Sequence, residues 1–335
     1  MTGPLILDAS PIAFRAEAVV AAELRRATAI AHGLPETMQA RQLLEHGVEV
    51  PEPSIAAVTA QFYVMAERLL GEWGPCGGRP THGAAVLDPR GRTWRHDCYP
   101  LYKAGRPPKP AGVTAALAEA PAIFQALGMP VLSVPGYEAD DVICSLVHRH
   151  DGCVVVSSDK DFLQFFGVRG SRQWDPTRRA EGDPPDAYPG VWLTEQHVYD
   201  KFGVDPRIPG HLARVVEVQA LTGDTVDHVP GCPGVGIVTA AKLIEAFDTV
   251  EALYAALHAG RAMPKGIGPA MVTKLRAGED DARLSRALVE LRRDLDVSAP
   301  ALRAPDPHAL QELVRRFGWA EAAGVGAAGG EAAAA

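Results

Sequence analysis

Three short apolar runs, each followed by an aspartate, constrain the fold of this 335-residue chain more than any other feature. The runs are residues 5–7 before Asp8, residues 84–87 before Asp88, and residues 154–156 shortly before Asp159. Runs of this length and composition are typical of strands buried on both faces, as in a parallel sheet. Helix-forming segments separate them, at about residues 53–73, 113–127 and 139–150. The alternation predicts an α/β fold with a Rossmann-like, mostly parallel sheet flanked by helices.

The remaining segments predict a helical domain and several connections. Residues 15–50 are rich in alanine and helix-prone, and we expect them to lie over or beside the carboxyl edge of the sheet. Residues 171–190 contain four prolines and are expected to form an extended loop. Residues 194–296 are predicted to be helical, with breaks at 223–236 and 264–269. The predicted units are an α/β domain at 1–192, a helical domain at 193–298, a linker and short helix at 299–320, and a disordered Ala/Gly tail at 321–335.

The composition disfavours several classes of protein. Apolar residues make up 47% and charged residues 22% of the chain, as in globular proteins, and no apolar run is long enough to span a membrane. The N-terminus lacks a signal-peptide pattern, so we expect a cytoplasmic protein with no membrane partner. The five cysteines form no C-x-x-C pair, which disfavours a zinc site or a disulfide framework. A net charge of −8 disfavours a nucleic-acid partner unless the acids are concentrated where cations bind.

Nine acidic residues meet that condition if the sheet forms as predicted. Ligands of such sheets bind beyond the carboxyl ends of the strands, where the three strand-end aspartates would meet. The other six acids lie in short motifs: Glu138, Asp140 and Asp141 at a helix start, Asp161 after Asp159, and Asp224 and Asp227 in a turn. Acids at a helix start can simply favour the helix dipole, but strand-end carboxylates repel one another unless a cation holds them. Oxygen ligands in this number suit two Mg²⁺ or Mn²⁺ ions, a pair that can catalyse phosphoryl transfer.

Two further motifs have features of phosphate binding. Residues 230–236 are rich in glycine and precede a predicted helix, so Gly234 and Gly236 could let a phosphate approach the backbone. Residues 265–269 repeat the pattern more weakly, and a simple turn between helices is the alternative there. Lys103 and Arg106, three residues apart on one predicted helical face, could clamp a phosphate, and Tyr102 could stack on a base. A solvated basic surface is the simpler explanation of this segment when it is taken alone.

Together these motifs resemble the 5′-nuclease family, which includes the nuclease domain of bacterial DNA polymerase I, phage 5′-exonucleases and flap endonucleases. The resemblance extends from residue 5 to about residue 297. The family's acidic motifs are matched by Leu7-Asp8 with Phe14-Arg15, Asp88 with Arg95-His96-Asp97, residues 136–141, and residues 159–161. Its Tyr-Lys-x-x-Arg segment is matched at residues 102–106, and its helix–three-turn–helix signature at residues 221–236.

This resemblance implies a PIN-like nuclease domain, with residues 15–50 in its helical arch, followed by a helix–three-turn–helix domain. The residues that it implies around the first metal ion are Asp8, Asp88, Glu138 and Asp140. Those implied around the second are Asp159, Asp161 and Asp227, with Asp141 and Asp224 close by or acting through water. Lys103 and Arg106 would act in catalysis by holding the scissile phosphate.

The resemblance also implies how DNA would be held. The glycine turn at Gly231, Gly234 and Gly236 would grip duplex DNA, in the family often through a bound K⁺ ion. The other DNA-binding residues that we expect are Arg15, Arg95, Tyr102 and Lys242. Lys242 is the nearest cation to the turn in the sequence, because Ile237 and Val238 stand where relatives often have a lysine. A further departure is Thr59-Ala60 in place of the usual Tyr-Gly hinge.

The implied activity is that of a 5′-3′ exonuclease or flap endonuclease acting in replication or repair. The implied substrate is DNA with 5′ ends or flaps, and whether RNA primers are also cut is open. A separate DNA polymerase is the expected partner and a monomer the expected state. Two alternatives remain, a PIN-like RNase for single-stranded RNA and a non-catalytic binder of DNA structures. The signature at residues 221–236 disfavours the first, and the presence of every second-site acid disfavours the second.

Overall fold

The apolar runs form the centre of a six-stranded sheet. The computed structural model describes residues 3–71, 74–179 and 190–319. The strands are β1 Leu5–Asp8, β2 Gly83–Val86, β3 Val131–Leu132, β4 Val154–Val156, β5 Arg172–Asp175 and β6 Val191–Trp192. Their order is β3-β2-β1-β4-β5-β6, and every neighbouring pair is parallel except β5 with β6. The predicted mostly parallel sheet is confirmed.

Helices flank the sheet and continue beyond it. They are α1 Ala9–Ala31, α2 Ala40–Glu45, α3 Ile55–Leu70, α4 Trp94–Cys98, α5 Ala111–Ala126, α6 Ala139–Arg149, α7 Glu195–Phe202, α8 Arg214–Thr222, α9 Ile237–Phe247, α10 Val250–His258, α11 Pro269–Ala277, α12 Glu279–Val289 and α13 Pro307–Phe317. The helices predicted at 53–73, 113–127 and 139–150 are α3, α5 and α6. None of the helices in the described ranges is both long and apolar enough to cross a bilayer.

Strand β1 lies in the middle of the sheet and is buried on both faces. Its Leu5, Ile6 and Leu7 have no exposed surface. Because successive side chains of a strand point to opposite faces, Leu5 and Leu7 belong to the core formed with α1, α3 and α5, whereas Ile6 belongs to the core formed with α6. Two helical layers therefore cover the sheet, and the polar residues that follow each strand lie at its carboxyl edge.

Helices α7 to α12 enclose a second apolar core. Helix α8 packs against α9 and α12 and contributes Val215, Val218 and Leu221 to this core. The breaks predicted at 223–236 and 264–269 separate α8 from α9 and α10 from α11. The predicted helical region is therefore confirmed as far as residue 289, after which the chain continues without regular secondary structure to α13.

The segment predicted as a linker is an ordered strap along the edge of the sheet. The amide of Gly83 donates to the Pro300 carbonyl at 3.0 Å, and the amide of Leu302 donates to the Thr81 carbonyl at 2.9 Å. Helix α13 then packs against α5 and α3, and the buried Trp319 ring stacks on Tyr63 with centroids 5.0 Å apart. These contacts return the end of the described chain to the α/β layer. The predicted Ala/Gly tail at 321–335 lies outside the described residues.

The loop prediction for residues 171–190 is wrong at its start. Residues 172–175 form β5, which pairs with β4 and carries Gln173 and Asp175 on its buried side. A strand with polar residues at buried positions has no apolar run to reveal it, so only pairing with β4 distinguishes it from a loop. Residues 180–189 lie outside the described residues.

The packing of α3 against α5 yields a stability prediction. The rings of Phe62 and Phe124 meet edge to face at 5.6 Å, and both side chains are fully buried. Phe62→Ala should lower the free energy of unfolding by about 3–5 kcal/mol, because it removes buried surface and leaves a cavity. Urea unfolding followed by circular dichroism measures this. The matched control is Ile30→Ala at a residue that is 57% exposed, and it should cost less than about 1 kcal/mol. Equal losses in the two variants would contradict this account of the core.

Candidate metal centre and DNA-binding surface

The carboxyl ends of three adjacent strands bring the first acids together. Asp8 ends β1, Asp88 follows β2, and Asp159 follows β4, and these strands are neighbours in the order β2-β1-β4. The carboxylate of Asp8 is 3% exposed and accepts a hydrogen bond from the Ser157 hydroxyl at 2.8 Å. The carboxylate of Asp88 accepts from the Ala139 amide at 3.1 Å, which fixes the start of α6 beside the strands.

Helix α6 adds Asp140 to this group. Asp8, Asp88, Asp140 and Asp159 line one cavity of about 410 Å³, and its rim carries four cations. These cations are Arg15, Lys103, Arg106 and Lys109. The structure therefore brings together the strand-end acids that the sequence predicts and adds a basic rim around them. Arg15 lies on this rim in α1, whose first turns border the predicted edge of the sheet.

The inner acids repel one another. Burial raises the pKa of Asp8 to about 8, and the charges of Asp159 and Asp88 add to the effect. Burial also raises the pKa of Asp140 well above its usual range, with further contributions from Asp159 and Asp8. Both shifts mean that the negatively charged forms of these acids are disfavoured here, first by burial and then by the neighbouring acids. A bound cation would relieve this repulsion.

A second acidic group adjoins the first. Asp159, Asp161, Asp224 and Asp227 line a cavity of about 570 Å³ that shares Asp140, Asp159 and Arg106 with the first cavity. The side-chain amide of Gln219 donates to Asp161 at 2.6 Å, which joins α8 of the helical region to the carboxyl edge of the sheet. Burial raises the pKa of Asp161 to about 6, and the charge of Asp159 contributes.

Lysine and arginine side chains pair with the outer acids. Lys160 forms an ion pair with Asp224, and Arg106 donates to Asp227 from Nε at 2.8 Å. Burial opposes the change, but the hydrogen bond and charge of Lys160 lower the pKa of Asp224. Lys103 Nζ lies 2.7 Å from Glu138. The charge in this part of the site is therefore compensated, in contrast to that around Asp8 and Asp140.

Lys103 and Arg106 do not share a helical face as predicted. They lie in a series of turns after α4, where Lys103 has a left-handed backbone with φ of 57°. The amide of Lys103 donates to the Asp227 carbonyl at 2.9 Å. This contact ties the basic segment to the turn that carries Asp227, so both cations still reach the acidic site.

The donor set suits divalent metal ions, although the oxygens are not gathered into a finished cage. Among the described ranges, no three His, Cys, Asp or Glu side chains are close enough to form a ready metal site. The available ligands are carboxylates, which Mg²⁺ and Mn²⁺ prefer, and the inner ones lack positive partners. The residues therefore fit such ions by chemistry and charge.

Asp141 and Arg95 do not occupy the positions expected from the sequence. Asp141 has no exposed surface, and Arg95 binds its two oxygens at 2.7 and 2.9 Å. Arg95 is itself 1% exposed. A metal ion would have to displace the arginine to reach Asp141, and DNA cannot reach Arg95 at the surface. Both residues belong to a buried ion pair behind the site.

Tyr102 is also placed differently from the expectation. Its ring is 5% exposed and packs with Val229, Leu288 and Val289, so no open face is available for a nucleobase. Its hydroxyl donates to Glu138 at 3.0 Å. The structure therefore makes Tyr102 a partner of Glu138 in place of a stacking surface.

The glycine turn separates into a buried and an exposed part. Gly231 is buried, has a positive φ, and donates its amide to the Ser285 hydroxyl at 2.8 Å, so this amide is not available to a phosphate. Gly234 and Gly236 are exposed, and Gly236 caps the N-terminus of α9. Gly236 has a φ of −92° and open space where a side chain would stand. The exposed part is therefore the part that a ligand can approach.

The cation nearest the exposed turn comes from α11 and was not predicted. A methyl group placed on Gly234 would lie 2.9 Å from the ammonium nitrogen of Lys274. Lys242, the cation expected there, instead donates to the Lys265 carbonyl at 3.1 Å, beside the second glycine-rich turn. The two lysines lie at the opposite turns from those expected because the C-terminal half of α11 lies against the first turn, where Cys232 Sγ is 3.5 Å from the Lys274 carbonyl.

Sequence reasoning also missed the residues that orient the acids. Ser157 donates to Asp8 and accepts from the Asp159 amide at 3.0 Å, and Gln173 donates to the Asp159 carbonyl at 3.0 Å. Ser157 stands between the β4 run and Asp159, which is a usable signal in the sequence. Gln219 and Gln173 offered none, because their contacts depend on α8 and β5 reaching the site.

Comparisons with known proteins agree with this architecture. The family model of the 5′-3′ exonuclease N-terminal resolvase-like domain matches residues 51–203, and that of the 5′-3′ exonuclease C-terminal SAM fold matches residues 211–308. A bacteriophage T5 flap endonuclease solved with DNA and metal ions has the same fold, with a TM-score of 0.54 and 15% identity over 96% of this chain and 98% of that one. The fold and the site thus define a protein of the 5′-3′ exonuclease class.

Two curated relatives narrow the class to a family. The flap endonuclease Xni of Aeromonas salmonicida is 30% identical over 262 residues, which cover 77% of this chain and 86% of Xni. DNA polymerase I of Deinococcus radiodurans is 34% identical over 236 residues, which cover 68% of this chain but only 22% of the polymerase. The chain belongs to the 5′-nuclease family, as its motifs predict.

The inner carboxylates predict how stability depends on pH. Without divalent cations, the folded protein retains protons on Asp8 and Asp161 at pH values where the unfolded chain has released them. Stability should therefore fall as the pH rises from about 4 to about 8. Added Mg²⁺ should raise Tm more at the upper end of this range than at the lower end. Thermal unfolding with EDTA or with Mg²⁺ at both ends of the range measures this.

Asp8→Asn is the control for this pH dependence. The variant should flatten the curve obtained in EDTA, because the amide cannot take up the proton. A Tm in EDTA that does not change with pH in the parent protein would contradict the account of clustered charge.

Proposed function

We propose that the chain is a structure-dependent 5′-nuclease that hydrolyses DNA phosphodiester bonds at 5′ ends or flaps with two Mg²⁺ or Mn²⁺ ions. The observation that carries the proposal is the pair of adjoining acidic cavities at the carboxyl edge of the sheet, rimmed by Arg15, Lys103 and Arg106. The acidic side chains that line the cavities can bind metal ions, and the basic side chains beside them can bind a phosphate.

The proposed division of the acids between two ions is the one that the family resemblance implies. Those that would hold the first ion are Asp8, Asp88, Glu138 and Asp140. Those that would hold the second are Asp159, Asp161 and Asp227, with Asp224 beside them. When bound, such a pair of ions supplies a water nucleophile at neutral pH and stabilises the charge that develops on the phosphate.

The basic side chains position the substrate. Lys103 pairs with Glu138 and Arg106 with Asp227, so both cations reach the acids of the site. They carry the positive charge that would hold the scissile phosphate between the two acidic groups. Ser157 would keep Asp8 oriented, since its hydroxyl donates to one carboxylate oxygen while the Ser10 amide donates to the other at 3.2 Å.

The exposed glycine turn would hold the duplex part of the substrate. The Val235 amide is bound to the Cys232 carbonyl, but Gly236 is exposed and caps α9, so the amides that follow it at the helix start would suit a phosphate or a K⁺-bridged contact. Lys274 and Lys242 add positive charge to this surface. The T5 relative, which was solved with DNA and metal ions, supports the same use of the fold here.

The wider setting follows from the relatives. Because the Deinococcus relative is a DNA polymerase I, a DNA polymerase is the partner that we propose, and replication or repair is the process. A monomer suffices for the site, since every proposed ligand comes from one chain. The helical region that matches the C-terminal family model favours duplex DNA over the single-stranded RNA of the PIN-like alternative. The nine acids give no reason to prefer a non-catalytic binder.

The test of catalysis uses the inner acids. Asp8→Asn and Asp159→Asn should each lower turnover on a 5′-labelled double-flap DNA by at least about 100-fold, because transition-state charge is no longer stabilised. Binding of the same DNA should stay nearly unchanged, since the duplex is held by the helical region. EDTA should abolish cutting by the parent protein, and Mg²⁺ or Mn²⁺ should restore it. Cutting that persists in excess chelator would contradict the proposal.

The test of duplex binding uses two glycines with the same backbone. Gly236 and Gly268 cap α9 and α11 with nearly identical dihedral angles, and both have open space for a side chain. Gly236→Val should therefore fold normally and weaken binding to a flap with a long downstream duplex, while cutting of a short single-stranded 5′ end changes little. Gly268→Val is the matched control and should leave both the duplex binding and the cutting of the single-stranded end unchanged. If Gly236→Val impaired the enzyme equally on the two substrates, the role of the turn would be structural and not one of binding duplex DNA.

A variant that adds positive charge near the glycine turn complements the Gly236→Val test. Val238 is 81% exposed in the first turn of α9, so Val238→Lys adds a cation without disturbing the core. The variant should bind duplex more tightly and steepen the salt dependence of binding by about one unit of log–log slope. Titrations at several salt concentrations measure the slope, and an unchanged slope would exclude a phosphate contact at this position.

A further inference from the structure

The buried ion pair of Arg95 and Asp141 lies directly behind Glu138. Arg95 is in α4 and Asp141 is in α6, and their side chains are 2% and 0% exposed. The guanidinium binds both carboxylate oxygens, at 2.7 and 2.9 Å, which is the strongest arrangement that these groups can form. Glu138 precedes α6, so Asp141 and Glu138 share one short stretch of backbone.

The pair also holds the segment that leaves the helical region. Arg95 Nε donates to the Leu288 carbonyl at 2.7 Å, and the Arg292 amide donates to Asp141 at 3.0 Å. Residues 288–292 run from the end of α12, and Leu288 packs on the Tyr102 ring. One ion pair therefore fastens α4, α6 and the exit of the helical region to the wall of the site.

Arg95 is close to Glu138 as well, but its shorter contacts are with Asp141. Its Nη1 lies 3.4 Å from Glu138, compared with 2.7 Å from Asp141. Glu138 is 5% exposed and has better hydrogen bonds from Tyr102 and Lys103. If Asp141 lost its charge, Glu138 would be the only other carboxylate within 4 Å of Arg95 among the described residues. The two would then pair directly, because a buried arginine without a partner is costly.

We propose that Arg95 and Asp141 are positioning residues of the metal centre: Asp141 draws the Arg95 charge away from Glu138, so that the Glu138 carboxylate remains available to a divalent cation. The pair acts through Glu138 and touches neither substrate nor metal. This proposal rests on the proposed function, because it gives Glu138 the part of a metal ligand. It also replaces the role of metal ligand that the sequence suggests for Asp141.

A double-variant experiment separates positioning from simple stabilisation. Asp141→Asn should weaken Mn²⁺ binding by about 10-fold or more, the usual effect of losing a partner behind a metal ligand. The double variant Arg95→Gln with Asp141→Asn removes the competing charge, so its Mn²⁺ affinity should recover to within about threefold of the parent protein. Electron paramagnetic resonance of free Mn²⁺ measures the affinities without DNA and without turnover. The titrations are run well below the lowest Tm of the set.

The pair of Glu217 and Arg286 is the matched control. It is an ion pair at 2.8 Å with a buried carboxylate, it joins α8 to α12, and it has no contact with the site acids. Glu217→Gln should lower Tm but leave Mn²⁺ affinity unchanged. Thermal unfolding of every variant tests whether the loss of stability is comparable between the two pairs.

The outcomes distinguish this proposal from the proposed function. If the double variant binds Mn²⁺ as weakly as Asp141→Asn, or if Glu217→Gln weakens binding as much, the pair is only structural and the positioning role is overturned. If the parent protein binds no Mn²⁺ at all, the proposed function itself fails. Recovery in the double variant, with Glu217→Gln unaffected, supports the positioning role.

Discussion

Repulsion among the carboxylates of Asp8, Asp140 and Asp159 is the constraint on which the rest of the site depends. Parallel strands β1, β2 and β4 end at one edge, so the acids that follow them must meet there. Burial between two helical layers raises the cost of that negative charge, as the raised pKa of Asp8 and Asp140 shows. An arrangement that costs stability at neutral pH is expected to serve a function, and binding of cations is the function that also removes the cost.

Lysine and arginine side chains compensate the charge of the outer acids. Lys160 and Arg106 pair with Asp224 and Asp227, whereas Asp8 accepts hydrogen bonds within the described residues only from the Ser157 hydroxyl and the Ser10 amide. Cationic side chains thus cover the part of the site that is nearer to solvent. The same side chains are placed to exchange a carboxylate for a phosphate, which would link substrate binding to the exposure of ligands for the second ion.

Much of the fold and part of the site could be predicted from the sequence. Strands β1, β2 and β4 and helices α3, α5 and α6 follow from local apolar patterns, which depend only on neighbouring residues. Strand β5, the strap at residues 300–306 and the side chain of Gln219 could not be predicted, because each is defined by a partner distant in the sequence. Lys274 shows the same limit, since it reaches the glycine turn only because the C-terminal half of α11 lies against Cys232.

The sequence by itself determined that acids, strand ends and a glycine turn would occur together, because runs, motifs and spacings are local properties. Only the tertiary structure decided which acids face the site. Asp140 and Asp141 are adjacent, yet one lines the cavity and the other has no exposed surface and binds Arg95. Each residue of a helix is rotated by about 100° from the one before, so neighbours in sequence point in different directions. The packing of α6 against β1 and α4 selects Asp140 for the site and Asp141 for the buried ion pair.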